Sequence, residues 1–326
     1  MTKKIAVIAG DGIGKEVTPV AVNVLKAAGA DFEYKDFDLG GERYLKDQFV
    51  LDDNTVKELR GFDAILLGAV GHPDVTPGII ERGLLLKLRF DLDLYINRRP
   101  FISPNHDFEV IRENTEGVYL GEGGVLRKGT ANEVATQGSI NTRLGVERCI
   151  RYAFEIAQNR QQKRLTLVHK TNVLMYAGDL WQRTFDEVAS EFPDVETDYN
   201  HIDAACIHFV ERPQKYSVIV TDNLFGDILT DLGGAVSGGI GMAASANLNP
   251  ERTGPSLFEP VHGSAPDIAG QNKANPIAAI FSGVMMCEWL GQLESAERIK
   301  KALVDIDVAG QSTSDIGDRV VNSLQS

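Results

Sequence analysis

Short apolar runs alternate with segments of helical spacing along most of this chain, and this alternation constrains its fold more than any other feature. Residues 3–9 form an apolar run that ends at glycines, residues 15–28 carry apolar side chains at helical spacing, and residues 63–69 form a second apolar run. Strands that alternate with helices pack as layers, with the helices covering the faces of a sheet. The pattern therefore predicts an α/β fold whose sheet is parallel at least in part.

The remaining elements are predicted from apolar periodicity and from residues that begin or end helices. Residues 52–60 begin with acidic residues suited to cap a helix. Further strands are predicted at 31–38, 107–112, 164–169, 203–209 and 216–221, and further helices at 143–159, 178–191, 225–236, 276–290 and 294–304. No shift in composition between these elements marks a domain boundary.

Residues 117–142 interrupt this rhythm. The segment is rich in glycine, polar and weakly alternating, and it has no helical periodicity. A β-arm or a long hairpin fits such a pattern better than a helix. An excursion of this length in a folded domain is usually functional or contacts another subunit.

Composition bounds the class of protein. The 326 residues suffice for about two domains, and 43% hydrophobic with 24% charged residues is ordinary for a globular chain. The 33 basic and 46 acidic residues leave a net charge of −13. That balance argues against nucleic acid or an anionic membrane as the main partner.

Cysteine usage and the first residues bear on the compartment. Cys149, Cys206 and Cys287 are far apart and lack metal-like spacing, so buried free thiols in a reducing compartment are expected. The first apolar run is too short for a signal peptide. No apolar stretch approaches the roughly 20 residues that span a bilayer. A cytoplasmic location is therefore expected.

The glycine triplet Gly10, Gly12 and Gly14 follows a predicted strand and opens a predicted helix, as a phosphate-binding loop would. Acidic residues Asp36 and Asp38 follow after about 20 residues, where a ribose ligand stands in dinucleotide folds. The spacing is G-x-G-x-G instead of G-x-G-x-x-G, and the residue after Gly10 is an aspartate. A plain strand-to-helix turn is the stronger interpretation.

Two aspartates favour a metal site. Asp227 and Asp231 are four residues apart on a predicted helix, so their carboxylates share one face and repel each other unless a cation lies between them. Oxygen ligands suit a hard cation such as Mg²⁺ or Mn²⁺. A solvated acidic helix face is the alternative, but the helix is mostly apolar, which predicts a cleft.

Basic residues at the ends of apolar segments suggest an anionic substrate. Arg89, Arg99 and Arg112 each lie near such an end, and the guanidinium fork suits bidentate binding of carboxylates. A surface ion pair is the alternative for each arginine, because the sequence does not show that the three converge. Lys170 ends a predicted strand, where it is either an exposed lysine, the commoner case, or a desolvated lysine able to act as a base. Asp203 begins another predicted strand and is either a third metal ligand or a helper of Lys170.

Residues 258–276 combine glycines and prolines with small side chains. Small residues allow backbone N–H groups to approach an anion. Asp267 is the kind of group that hydrogen-bonds a ribose diol and repels a 2′-phosphate.

Together these segments resemble the β-decarboxylating dehydrogenases, the isocitrate/isopropylmalate dehydrogenase family, nearly end to end. The motifs that carry the resemblance are GDGIG at 10–14, ERGLLLKLR at 81–89, RENTEG at 112–117, HKTN at 169–172, TDNLFGDILTDL at 221–232 and EPVHGSAPDIAG at 259–270. The last two are the most specific. Two departures are Lys15, where proline is common, and Arg98, where leucine usually precedes Arg99.

The resemblance implies a two-domain fold that is not a Rossmann fold. Residues 1–94 with 238–326 would form the cofactor-binding domain, and residues 95–237 the substrate, metal and dimerisation domain. The segment 117–142 would be a β-arm at the interface of a homodimer.

The resemblance also implies roles for single residues. Tyr119 and Lys170 would be the acid–base pair, and Arg89, Arg99 and Arg112 would bind the malate part of the substrate. Asp203, Asp227 and Asp231 would bind Mg²⁺ or Mn²⁺, with Lys170 and Asp203 coming from the partner subunit. The residues expected to bind NAD are Ile13, Glu259, His262, Gly263, Ser264, Ala265, Asp267, Ile268 and Asn275. NAD is favoured over NADP because Asp267 and Ile268 stand where NADP users carry Lys and Tyr.

Substrate choice is expected to depend on Leu84, Leu85 and Leu86, an apolar patch suited to an isopropyl group. The expected reaction is the oxidative decarboxylation of 3-isopropylmalate to 4-methyl-2-oxopentanoate, a step of leucine biosynthesis. D-malate, tartrate, isocitrate and homoisocitrate are alternative substrates within the family. An alternative of another class is a non-catalytic regulatory subunit, which the intact set of catalytic residues disfavours.

Overall fold

The predicted alternation of strands and helices is present in the computed structural model, which describes residues 2–103, 105–304, 306 and 308–325. The strands are β1 (Lys3–Gly10), β2 (Phe32–Asp36), β3 (Ala64–Ala69), β4 (Ile96–Ser103), β5 (His106–Glu113), β6 (Gly123–Leu126), β7 (Val134–Gln137), β8 (Arg164–His169), β9 (Glu196–His201), β10 (Val218–Thr221), β11 (Ala244–Leu248) and β12 (Ser256–Pro260).

The α-helices are α1 (Gly14–Ala27), α2 (Gly41–Asp47), α3 (Asp53–Leu59), α4 (Lys87–Asp91), α5 (Arg143–Gln158), α6 (Met175–Ala189), α7 (Ile202–Glu211), α8 (Asn223–Val236), α9 (Ile277–Trp289), α10 (Leu293–Leu303) and α11 (Thr313–Gln325). A π-helix spans Glu81–Leu86, and 3₁₀ turns span Val118–Leu120, Pro213–Lys215 and Ile240–Met242. No described helix is both long and apolar enough to cross a membrane.

The chain divides into two compact units, Met1–Leu94 with Gly238–Ser326 and Tyr95–Ser237. The first unit contains strands in the order β2-β1-β3-β12-β11, parallel except for the last pair. Its central strands β1 and β3 read as apolar runs because they are covered on both faces, and all six residues of β3 are buried, whereas the edge strand β2 is polar and mostly exposed. Asp52 caps α3 by accepting a hydrogen bond from the Thr55 amide, as its position before the helix predicts.

The second unit contains strands in the order β4-β5-β10-β8-β9, where β4 and β5 are antiparallel and the other pairs are parallel. The carboxyl ends of β5, β10, β8 and β9 therefore lie at one edge of the sheet. Segment 117–142 contains the antiparallel pair β6–β7, all of it exposed, so the prediction of a hairpin is confirmed.

One predicted element is wrong. Residues 203–209 were expected to form a strand, but they lie within α7, and the strand is the preceding polar segment β9. Ala205 and Phe209 are the buried residues of α7 and are four positions apart. A short apolar run does not by itself distinguish a buried strand from a helix, and here the spacing of its buried side chains is helical.

The cysteines are free, as expected. Cys149 and Cys287 are buried, whereas Cys206 on α7 is partly exposed, so the expectation that all three are buried is wrong for Cys206.

Candidate active site

Helix α8 begins where β10 ends, at the carboxyl edge of the second unit's sheet. Asp222 caps the helix by accepting a hydrogen bond of 2.8 Å from the Phe225 amide. Asp227 and Asp231 follow one turn apart, as their spacing predicted. The two expected metal ligands of this unit thus project from the first turns of a helix at the sheet edge.

Arg112 reaches these carboxylates from the end of β5 and is almost fully buried. Its Nη1 donates a hydrogen bond of 2.5 Å to Asp227, and its Nε and Nη2 donate to the Asn223 side-chain oxygen at 3.1 and 2.7 Å. The Asn223 amide nitrogen in turn donates to the carbonyl of Glu116. Asn223 therefore fixes the buried guanidinium against the loop that follows β5.

Arg99 approaches the same helix from β4. Its Nη1 donates to the Thr230 hydroxyl at 2.5 Å, and its guanidinium lies 3.8 Å from Asp227 and 3.9 Å from Asp231. Neighbouring side chains of a strand point to opposite faces, and Arg98 instead binds the buried Glu109 through two hydrogen bonds. The unusual Arg98 therefore belongs to another contact and leaves Arg99 facing α8.

Tyr119 lies in the 3₁₀ turn after β5, and its hydroxyl donates a hydrogen bond of 2.7 Å to Asp227. The Arg112 guanidinium lies 5.2 Å from the centre of its ring. Buried Glu113 organises the start of this loop by accepting hydrogen bonds from the Thr115 amide and hydroxyl and from the Glu116 amide. An acid candidate, two arginines and two carboxylates thus lie together, a convergence that the sequence alone did not show.

The charges around Asp231 fit a divalent cation. Burial, and then the charge of Asp227, raises the pKa of Asp231, although Arg99 and Arg112 oppose both effects. The two carboxylates therefore carry negative charge that the arginines leave incompletely balanced. Oxygen ligands with excess negative charge are what Mg²⁺ and Mn²⁺ prefer. Asp227 and Asp231 are suited to hold such an ion.

Lys170 and Asp203 form a separate pair. Lys170 follows β8, Asp203 lies in the first turn of α7 instead of beginning a strand, and their Nζ–Oδ1 distance is 2.6 Å. A hydrogen bond from Lys170 holds the pKa of Asp203 below its usual value. Within the described part of the chain, no three His, Cys, Asp or Glu side chains converge as a metal site, so Asp203 does not join Asp227 and Asp231.

The leucine segment of the first unit is a π-helix that continues into α4. Leu84 is fully buried in the hydrophobic core of its unit, so its side chain does not line a substrate pocket, and that expectation is corrected. Leu85 and Leu86 are partly exposed. Arg89 on α4 lies 3.5 Å from the carboxylate of Glu259, which also accepts a hydrogen bond from Asn247.

The GDGIG segment is a tightly packed strand-to-helix turn. A Cβ on Gly12 would lie 2.1 Å from the carbonyl oxygen of Ser264, and Gly12 has a φ of +51°. The fully buried Asp11 carboxylate accepts hydrogen bonds from the amides of Gly41, Glu42 and Gly71. Within the turn itself, the amides of Asp11 and Ile13 donate to the carbonyls of Ala69 and Ser264, which agrees with its interpretation as a strand-to-helix turn.

The loop between β12 and α9 contains most of the residues expected to bind NAD. It is anchored where the Ile13 amide donates to the Ser264 carbonyl, and where Glu16 accepts from the amides of Gly270 and Asn272. Gly263 and Asp267 are exposed, and Ala265 has a φ of +39°. A backbone held at both ends with an exposed middle is suited to present amides and a carboxylate to a nucleotide.

Single members of this loop have further roles. Glu259 lies in β12 and is buried, and Asn275 caps α9 by accepting a hydrogen bond from the Ile277 amide. His262 Nδ1 contacts the Gly263 carbonyl, and its buried Nε2 has no hydrogen-bond partner in the described residues. Burial lowers the pKa of His262, so the ring is neutral at pH 7. A neutral Nε2 without a partner is an acceptor available to a cofactor donor.

Sequence reasoning missed the residues that hold the site in place. These residues are Asn223, Thr230, Glu113 and Glu16. The available signal for Asn223 was its place in the first turn of a helix, where a polar side chain faces the sheet edge. Glu113 binds residues two and three positions further on. Thr230 and Glu16 bind partners that are distant in sequence, and no local pattern identifies those partners.

Comparisons with known proteins identify the family. The family model described as isocitrate/isopropylmalate dehydrogenase matches residues 4–325. A Corynebacterium glutamicum protein named 3-isopropylmalate dehydrogenase is 57% identical over 341 residues, covering 99% of this chain and 100% of its own. A Bifidobacterium longum protein of the same name is 55% identical over 338 residues, covering 98% of each.

Solved structures show the same fold. An isocitrate dehydrogenase from Methylococcus capsulatus matches with a TM-score of 0.92 and 34% identity over 99% of this chain and 100% of its own. A beta-decarboxylating dehydrogenase from Thermococcus kodakarensis matches with a TM-score of 0.83 and 36% identity over 99% and 96%. This chain belongs to the isocitrate/isopropylmalate dehydrogenase family.

Proposed function

We propose that this chain catalyses the NAD-dependent oxidative decarboxylation of 3-isopropylmalate to 4-methyl-2-oxopentanoate, a step of leucine biosynthesis. The observation that carries the proposal is the cluster of Arg99, Arg112, Tyr119, Asp227 and Asp231. It combines anion recognition, a proton donor and metal-binding carboxylates. Relatives named 3-isopropylmalate dehydrogenase, 55–57% identical over nearly the full chain, support the choice of substrate.

The arginines bind the substrate's two carboxylates. Arg112 and Arg99 are held by Asn223 and Thr230, so little side-chain freedom is lost when substrate binds. Arg89 contributes further positive charge, and partly exposed Leu85 and Leu86 contact the isopropyl group. Apolar contacts of this size contribute about 1–3 kcal/mol of discrimination.

Asp227 and Asp231, with Asp203 of a second copy, hold Mg²⁺ or Mn²⁺. A divalent ion held there would supply positive charge for lowering the hydroxyl pKa and for balancing the negative charge that develops on the substrate as CO₂ leaves. Lys170 of the second copy would accept the hydroxyl proton, and NAD, when bound, would serve as the hydride acceptor. Tyr119 then donates its proton to C3.

The cofactor site is the loop between β12 and α9, together with Ile13. On this proposal residues 1–94 with 238–326 bind the cofactor, and residues 95–237 bind substrate and metal. Asp267 binds the ribose diol of NAD and excludes a 2′-phosphate by charge repulsion. The partner-free Nε2 of His262 supports this placement because it leaves an acceptor for the cofactor.

The functional form is a cytoplasmic homodimer. The pairing of Lys170 with Asp203, apart from the Asp227–Asp231 pair, supports a site shared between copies. The exposed hairpin β6–β7, with Val125, Leu126 and Val134 at its surface, is the proposed contact to the second copy. Sedimentation analysis would test this form directly, since a monomer at assay concentrations would contradict it.

The proposal is tested by NADH formation from 3-isopropylmalate, D-malate, tartrate, isocitrate and homoisocitrate, each with NAD or NADP and with Mg²⁺ or Mn²⁺. We expect the highest kcat/KM for 3-isopropylmalate with NAD and no turnover after chelation. A higher value for another hydroxy acid would replace the substrate assignment but keep the reaction class. No turnover with any of them would favour a non-catalytic subunit.

A further inference from the structure

A fully buried histidine, His169, stands next to the proposed base in the sequence. His169 is the last residue of β8 and immediately precedes Lys170. Strand β8 pairs in parallel with β10, with Val168 opposite Thr221. The residues that follow them, His169 and Asp222, therefore leave the sheet side by side, and His169 Nε2 lies 3.6 Å from Asp222 Oδ2.

The His169 ring is enclosed by aromatic side chains. It stacks on Trp181 of α6 at 5.8 Å between ring centres and meets the edge of Phe225 of α8 at 5.4 Å. The ring is 0% exposed, and neither of its nitrogens has a hydrogen-bond partner within the described residues. Leaving a buried polar group unpaired costs about 1–3 kcal/mol, so a histidine here calls for an explanation.

Charge states make Asp222 the fitting partner. Burial lowers the pKa of His169 to about 4, so the ring is neutral at pH 7 and carries one N–H. Burial raises the pKa of Asp222 to about 6, so this carboxylate is still mostly ionised at pH 7 and short of donors. Its Oδ1 accepts the Phe225 amide hydrogen at the start of α8. A small movement of either side chain would bring its Oδ2, now 3.6 Å from His169 Nε2, within hydrogen-bond distance of an N–H on that nitrogen.

The other side of Lys170 is already fixed. The Thr171 amide and hydroxyl contact the Tyr199 hydroxyl at 3.1 and 2.9 Å, and Tyr199 contacts His201 Nδ1 at 2.8 Å. The backbone after Lys170 is therefore tied to β9. The backbone before it is held in the sheet by the pairing of β8 with β9, which ends at His169 and His201.

We propose that His169 is a positioning residue, whose Nε2–H donates to Asp222 and thereby sets Lys170 relative to the first turn of α8. Since Asp227 projects from that helix, this contact connects the base that a chain supplies to its partner's site with the helix that carries the metal-binding carboxylates of its own site. The inference rests on the proposed function in that it takes Lys170 as the base. The group acts through Lys170 and does not touch substrate.

The test compares His169→Phe, which keeps an aromatic ring, with His169→Gln, which keeps an N–H donor. Thr166→Val is the matched control, because Thr166 is buried on the same strand and its hydroxyl has no partner in the described residues. We expect His169→Phe to lower kcat about 100-fold, the effect of a small misplacement of a catalytic group, with little change in KM. His169→Gln should recover most of the loss, and Thr166→Val should match the wild type.

Nitrogen-15 spectra of histidine-labelled wild-type protein give a readout that does not depend on turnover. We expect His169 to be neutral and protonated at Nε2. Protonation at Nδ1, or an unchanged kcat in His169→Phe, would overturn the inference. Wild-type turnover reports separately on the proposed function, since all variants are compared with the wild type on whichever substrate it uses best.

Discussion

The hydroxyl of Tyr119 donates its hydrogen bond to Asp227, the same carboxylate that Arg112 contacts through Nη1. Three proposed roles, proton donation, metal binding and substrate binding, thus meet at one side chain. The three side chains are energetically coupled, because loss of one alters the electrostatic environment of the other two. This coupling implies that variants at these positions will be non-additive.

Replacement of Tyr119 by Phe removes the proposed proton donor and leaves the arginines in place. We expect kcat to fall about 10²–10⁴-fold, the usual contribution of a positioned acid or base, with KM for the hydroxy acid nearly unchanged. Steady-state kinetics with direct assay of the 2-oxo acid product measure both. Tyr34→Phe is the control, because the buried Tyr34 hydroxyl has no partner in the described residues. A normal kcat for Tyr119→Phe would remove the acid from the account.

The leucine segment separates stability from specificity. Leu84 is fully buried in the core, so Leu84→Ala should lower the free energy of unfolding by about 2–5 kcal/mol without changing substrate preference. Leu86→Ala should instead reduce the preference for 3-isopropylmalate over D-malate by about tenfold or more. Urea unfolding measures the loss of stability. The ratio of kcat/KM for 3-isopropylmalate to kcat/KM for D-malate measures the change in substrate preference. Altered preference in Leu84→Ala, with Leu86→Ala unaffected, would reverse the assignment.

Glu16 anchors the proposed cofactor loop through the amides of Gly270 and Asn272. Glu16→Ala should raise KM for NAD about tenfold, the loss of roughly one charged hydrogen bond, while KM for the hydroxy acid stays constant. Glu33→Ala, on the exposed part of β2, is the matched control. Equal changes in both KM values would show that the loop does not act on the cofactor specifically.

Glu113 should make stability depend on pH. Burial raises its pKa from 4.5 to about 7, against the hydrogen bonds from Thr115 and Glu116. Its stabilising contribution is therefore complete below pH 4.5 and is lost as the pH rises through about 7, a change of about 3 kcal/mol. Urea unfolding at pH 5 and pH 8 should show this slope in the wild type and in the exposed control Glu294→Gln. A Glu113→Gln variant that keeps the full slope would contradict the assignment.

Arg98 illustrates how an unusual residue is accommodated. Burial raises the pKa of Glu109, but the charges and hydrogen bonds of Arg98 and Arg160 outweigh it and hold that pKa below its usual value. Arg98→Leu should therefore destabilise the protein by about 2–4 kcal/mol at pH 7. The loss should be smaller near pH 4, where the variant can protonate Glu109. Adding Glu109→Gln to Arg98→Leu should recover part of the lost free energy of unfolding. An equal loss at pH 7 and pH 4 in Arg98→Leu would refute this explanation.

Local patterns sufficed for part of the fold and site. Helical spacing placed Asp227 and Asp231 on one face, and the glycine-rich, weakly alternating pattern of 117–142 predicted the hairpin β6–β7. The segment 203–209 was predicted wrongly because an apolar run of seven residues fits a buried strand as well as a helix. Leu84 was misassigned because three adjacent leucines look alike in sequence, and only packing distinguishes the buried one. Contacts such as that of Arg112 with Asn223 join residues 111 positions apart, beyond any local pattern.

The most direct test of the central claim is product stoichiometry with 3-isopropylmalate, NAD and Mn²⁺ in a single reaction. The account predicts equal amounts of NADH, CO₂ and 4-methyl-2-oxopentanoate, with all three abolished in Asp227→Asn. NADH formed without CO₂, or full turnover in Asp227→Asn, would contradict it.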